Sequence, residues 1–105
     1  MSEKTIMLCC AAGMSTSMLV AKMQGAAKEQ GKEYDIFAVS ASEVDQKLVE
    51  KEIDVVLLGP QIRYMKNDIS KKLVDRKIPL DVIDMQAYGM MNGAKVLKQA
   101  EDLMA

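Results

Sequence analysis

Short, nearly continuous apolar runs alternate along the chain with stretches whose apolar residues recur every three or four positions. The runs at residues 5–9, 34–39, 53–58 and 78–83 read as strands buried on both faces. Between them lie helical patterns. The first begins at Met18-Leu19-Val20-Ala21-Lys22-Met23 and closes near Gly31, and Ser40 with Glu43 has the spacing of a capping box for a second that runs to about Lys51. Pro60 suits the first turn of a third helix, in which Ile62, Met65, Ile69 and Leu73 form an apolar stripe while Lys66, Asp68, Lys71 and Lys72 take the wet side. A last helix at about residues 92–104 buries Val96, Leu97, Ala100 and Leu103. Pro79, near the start of the fourth strand, favours a sheet edge.

Strict strand-helix alternation predicts an α/β fold: a doubly wound, flavodoxin-like parallel sheet in the order 2-1-3-4 with helices on both faces. In that order strand one lies beside strand three, and ligands bind at the switch point between their carboxyl ends. The loop after residue 10 and the Gly59-Pro60-Gln61 turn are then neighbours.

Length and composition narrow the possibilities. At 105 residues with 50% hydrophobic and 28% charged content, residues 1–105 are expected to form one domain. Fourteen basic and fifteen acidic residues are scattered to a net charge of −1, which gives no electrostatic reason for nucleic acid or an anionic membrane as partner. No apolar run approaches the roughly 18 residues of a membrane span, and no signal-peptide pattern opens the chain, so a cytoplasmic protein without direct membrane insertion is expected. The chain has no histidine, which excludes Cys-His, Ser-His and His-metal sites. With only two cysteines, and those adjacent, no metal site is expected, and no cofactor either.

The chemistry concentrates in Cys10-Ala11-Ala12-Gly13-Met14-Ser15-Thr16-Ser17, a small-residue loop that joins the first strand to the first helix. The first N–H groups of a helix lack intrahelical acceptors and lie at the positive end of its dipole, so such a loop can cradle a phosphate. Gly13 lets the chain curl, and the hydroxyls of Ser15, Thr16 and Ser17 add donors. Cys9, the last strand residue, is expected to pack as a small hydrophobe. Cys10 is expected at the loop mouth, where a helix N-terminus lowers a thiol pKa.

Two nearby chemistries fit less well. The loop lacks the Gly-Lys-Ser/Thr ending of a nucleotide-binding P-loop, and an aromatic content of 4% offers little for stacking a flavin. A Cys-x5-Arg phosphatase of the small tyrosine-phosphatase type shares the thiolate loop, but Thr16 stands where it needs arginine. Without a guanidinium to clamp the phosphoryl group, hydrolysis loses its main electrostatic stabiliser and a phosphocysteine persists. Persistence is what a carrier requires.

Around the loop, Gln61 is in reach of a bound phosphate or is simply an exposed residue. Tyr64 flanks the site or caps the core, and Arg63 reads as a solvated side chain. Asp84 and Tyr88 either line the same rim or serve as a helix start and a packed tyrosine. Met14 and Met90-Met91 could form an adaptable docking surface, whereas Met18, Met23 and Met65 read as core.

Together these residues carry a family resemblance. Cys10-Ala-Ala-Gly-Met-Ser-Thr-Ser-Met-Leu-Val, then Val55-Val56-Leu57-Leu58-Gly59-Pro60-Gln61-Ile62-Arg63-Tyr64, then the segment from Ile83 through Tyr88-Gly89 is similar to the IIB component of the lactose/cellobiose (chitobiose) class of the bacterial sugar phosphotransferase system. The similarity covers essentially the whole chain. It implies a flavodoxin-like fold and a cytoplasmic phosphotransferase component, expected to be a monomer. In that reading Cys10 accepts a phosphoryl group from a phosphohistidine on enzyme IIA and passes it to a disaccharide bound by the membrane component IIC. Residues Ala11, Ala12, Gly13, Met14, Ser15, Thr16 and Ser17 become the phosphate-binding loop, with Gln61, Tyr64 and Tyr88 at its rim.

Overall fold

In the computed structural model, which describes residues 4–11 and 14–105, four parallel strands form one sheet in the order β2-β1-β3-β4. The strands are β1 (Lys4–Cys10), β2 (Tyr34–Ser40), β3 (Val55–Leu58) and β4 (Leu80–Val82). They alternate with helices α1 (Met14–Glu29), α2 (Val44–Glu50), α3 (Lys66–Leu73), α4 (Met85–Gly89) and α5 (Gly93–Met104). This is the doubly wound, flavodoxin-like arrangement that the alternation predicts.

The sheet's period of two divides the core. Ile6, Leu8, Val55 and Leu57 project to one face, where Leu19, Met23 and Ala27 of α1 and Val96, Leu97 and Ala100 of α5 cover them. Met7, Cys9, Val56 and Leu58 project to the other, under Val44 and Leu48 of α2 and Ile69 and Leu73 of α3. Because β1 and β3 are central and covered on both sides, every residue from Ile6 to Cys10 and all of Val55–Leu58 is buried.

Helix ends follow local chemistry. Helix α1 stops where Gly31 adopts φ +71°, with its N–H donating to the Lys28 carbonyl and that of Lys32 to the Ala27 carbonyl, a Schellman closure. The Asp84 carboxylate caps α4 by accepting from the Ala87 N–H at 2.9 Å, and the Asn92 side chain caps α5 by accepting from the Lys95 N–H at 3.1 Å. Asp84 is thus a helix start. Helices α1 and α5 touch where Gly93 meets the backbone of Lys22 and Met23.

Several expectations are corrected. Pro60 opens a 3-10 turn (Pro60–Met65) and not an α-helix, because buried Ile62 breaks the helical path at φ −117°, ψ 25°; α3 starts only at Lys66. Ser40 makes no capping bond to backbone, and its hydroxyl donates instead to the Glu43 carboxylate at 3.2 Å. Strand β4 is shorter than its apolar run because Pro79 has no N–H for the ladder; only its carbonyl takes part, accepting from the Val56 N–H at 3.0 Å. Met18 is 63% exposed and so is not core, since the buried face of α1 runs through Leu19, Met23 and Ala27. Met23 is fully buried and Met65 partly so.

Candidate functional site

Strand β1 ends at Cys10, one residue past the point where both its neighbours are paired: Cys9 lies opposite Val39 and Leu58, Cys10 opposite Ser40 alone. The carboxyl ends of β1 and β3 form the switch point of the sheet, and the Gly59 N–H ties the two ends by donating to the Cys9 carbonyl at 2.7 Å. A Cβ built on Gly59 would lie 3.5 Å from that of Cys10, so the β3 turn packs directly beside the thiol.

Alternation sends the two adjacent cysteines to opposite faces. Cys9 enters the α2/α3 side of the core, where burial, the neighbouring Cys10 and the Glu43 carboxylate together push its thiol up from 9.0 to about 12. It stays protonated at neutral pH. Cys10 faces α1, and there the Thr16 hydroxyl donates to its sulfur at 3.3 Å. Thr16 is fully buried on the first turn of α1, the sole buried polar side chain among the described residues. Cys10 is expected at a loop mouth, but it is only 1% exposed, because α1 and the Gly59 turn close over it.

Of the remaining loop residues, Ala11 and Ser17 are exposed, while Ala12 and Gly13 lie outside the described residues. Met14 and Ser15 belong to the first turn of α1. The rim residues converge on a different feature, an open cavity of about 500 Å³ lined by Pro60, Gln61, Arg63, Tyr64, Met85 and Tyr88. The Gln61 side-chain amide donates to the Tyr88 hydroxyl at 3.2 Å and so joins the β3 turn to α4. Tyr88 also packs against the α1/α5 side of the core. Tyr64 is 78% exposed, which corrects the reading that it caps the core.

Two participants are not legible from residue types. Arg63 is exposed, as its reading as a solvated side chain expects, but it also lines the cavity and approaches the Met85 sulfur at 3.8 Å. Thr16, read as a phosphate donor, addresses the thiol itself. Only the strand's parity, which puts Cys10 on the α1 side, could have signalled that contact.

Comparison with known proteins agrees with this fold. Residues 5–99 match the family model for the lactose/cellobiose-specific IIB subunit of the phosphotransferase system. The chain is 54% identical to the galactose-specific EIIB component of Lactococcus lactis subsp. cremoris, with 99% of each covered. It is 53% identical to the cellobiose-specific EIIB component of Lactococcus lactis subsp. lactis, again over 99% of each. Among solved structures, the cellobiose-specific IIB component of Borrelia burgdorferi superposes with a TM-score of 0.77 at 38% identity, over 96% of this chain and 91% of that one. The lactose-specific IIB domain of Streptococcus pneumoniae superposes with a TM-score of 0.84 at 15% identity, over 99% and 100%, a likeness of fold. None of these relatives supports the phosphatase reading. Among the described residues no helix is long and apolar enough to cross a membrane.

Proposed function

The chain belongs to the lactose/cellobiose-specific IIB family of the sugar phosphotransferase system, and from that premise we propose that Cys10 is its phosphoryl carrier. Its role is phosphotransfer in sugar uptake, alongside the IIA and membrane IIC components of such a system. A phosphohistidine on IIA gives its phosphoryl group to the Cys10 sulfur. The thiol proton ends on the departing imidazole. The group then passes to a hydroxyl of a disaccharide held by IIC, whose proton returns to sulfur. Two relatives at 54% and 53% identity are named for galactose and for cellobiose, and specificity for the sugar would reside mainly in the membrane component.

The single observation that carries this reading is the position of the Cys10 thiol at the switch point, at the start of α1 and against the Thr16 hydroxyl. Backbone N–H groups of residues 11–17 would neutralise the equatorial oxygens during in-line transfer. Gln61, Tyr64 and Tyr88 would form the rim that meets each partner in turn. A threonine at position 16 offers no bidentate clamp for hydrolysis, and a chain without histidine needs the donor to supply one. We read the protein as a cytoplasmic monomer of one domain, 1–105.

The test is phosphorylation by a phosphorylated IIA component. One phosphate per chain is expected, with a phosphorus NMR shift typical of an S–P bond. Cys10→Ser abolishes it and Cys9→Ser leaves it. A Cys10→Ser protein that still accepts phosphate, beside a Cys9→Ser protein that does not, would overturn the assignment.

A further inference from the structure

We propose that Thr16 acts on the sulfur of Cys10 and not on the phosphate: its hydroxyl holds the leaving and entering thiolate during phosphoryl transfer. The inference rests on the reading of Cys10 as the carrier. Three observations lead to it. The Thr16 Oγ1 is a donor 3.3 Å from the Cys10 Sγ, within range for a hydrogen bond to sulfur. Its side chain is fully buried, so water does not compete for the hydroxyl and a hydrogen bond to charged sulfur there is strengthened by the low local dielectric. And it stands on the first turn of α1, so the helix backbone places its oxygen beside the sulfur before any charge develops.

The chemistry follows from charge on sulfur. In phosphocysteine the sulfur is a weak acceptor; as the S–P bond breaks it gathers negative charge, and a hydrogen bond to a charged group is roughly twice as strong as a neutral one. When an imidazole nitrogen of IIA takes the group back, the N–P bond forms, the S–P bond breaks, and the imidazole proton ends on sulfur. Loading is that same path in reverse and shares its transition state. A donor that stabilises charge on sulfur therefore accelerates both directions and leaves the equilibrium between the two carriers almost unmoved.

Thr16→Val keeps the shape and removes the donor; Thr16→Ser keeps the donor and removes a methyl. The measurement is the rate of phosphoryl exchange, in both directions, between this protein and a IIA component that loads the wild type, followed by phosphorus NMR or quenched-flow gels. Thr16→Val is expected to load to one phosphate on Cys10 and to exchange about 10- to 100-fold more slowly in each direction, with an unchanged equilibrium ratio. Thr16→Ser is expected within a few-fold of wild type. Wild-type exchange by Thr16→Val, or equal impairment of Val and Ser variants, would overturn the proposal. If Thr16→Val does not fold, Thr16→Ala is read in its place; loss of the fold in both makes the residue structural and also overturns it. Failure of the carrier reading itself looks different: phosphate would then be found on a residue other than Cys10 in the wild type.

Discussion

The buried Cys9 thiol should make stability fall at alkaline pH, and the size of the effect can be worked out. Its side chain is fully buried, and burial first, then Cys10 and the Glu43 carboxylate, raise its pKa from 9.0 to about 12. Below pH 9 both folded and unfolded chains keep this thiol protonated, so its favourable burial is fully present. Between 9 and about 12 the unfolded chain releases the proton while the folded one holds it, so stability falls as pH rises, by about 1.4 kcal/mol per pH unit. By pH 10.5 the loss attributable to Cys9 is about 2 kcal/mol, and the whole shift corresponds to about 4 kcal/mol. Urea titrations followed by circular dichroism, from about pH 7.5 to 10.5, would measure it as the difference between wild type and Cys9→Ala. A difference curve flat to within about 0.5 kcal/mol would refute the reasoning, because Cys9 would then ionise as easily in the folded chain as out of it.

Three further outcomes follow from packing, ion pairing and capping. At Gly93 an added Cβ would lie 2.5 Å from the Lys22 carbonyl carbon and 2.7 Å from the Met23 nitrogen, so Gly93→Ala must push α5 off α1. Thermal melts should show a loss of about 2 kcal/mol, or roughly 10 °C in Tm. Glu101 accepts from Lys32 and from the Tyr34 hydroxyl, which lowers its carboxyl pKa; the Lys32 bond is the larger cause. That stability is present above the ordinary carboxylate pKa and fades as pH falls through the lowered one, so Glu101→Gln should flatten the acid limb of a denaturation series by less than about 1 kcal/mol at this partly exposed site. Asp84→Ala removes the cap of α4 and should cost about 1 kcal/mol in urea denaturation, with Asp84→Asn close to wild type.

The fold was legible because its signal is binary. Strands covered on both faces read as unbroken apolar runs, and Ile6, Leu8, Val55 and Leu57 find their places by period alone. Element ends were less legible because they depend on single backbone geometries. Nothing in Pro60-Gln61-Ile62 announces that burial of Ile62 would turn the chain into a 3-10 path, or that the Ser40 hydroxyl would favour the Glu43 carboxylate over a backbone N–H. At the site, the place of Cys10 at a strand end ahead of a helix was legible from the pattern, and the nearness of Gly59 from topology. The depth of Cys10 was not: a residue at a strand end can open to solvent or be roofed by the next helix, and the packing of α1 decides that. Arg63 and Met85 share a cavity although 22 residues apart, a contact set by the β3-β4 crossover.

Adjacency of two thiols usually invites a question of redundancy, and the strand geometry answers it. Successive residues of a strand point to opposite faces, so Cys9 and Cys10 meet different helices and different electrostatics. Cys9 is enclosed with apolar neighbours and feels the negative charge of Glu43; Cys10 receives a hydroxyl donor. The same opposition sets the two sulfurs apart and makes a bond between them incompatible with the extended strand. A slip of β1 by one residue would exchange their surroundings. That slip is opposed on both edges, since β1 is paired with β2 from Lys4 to Cys10 and with β3 from Ile6 to Cys9. The different surroundings of these chemically identical neighbours are therefore held by the register of β1 against β2 and β3.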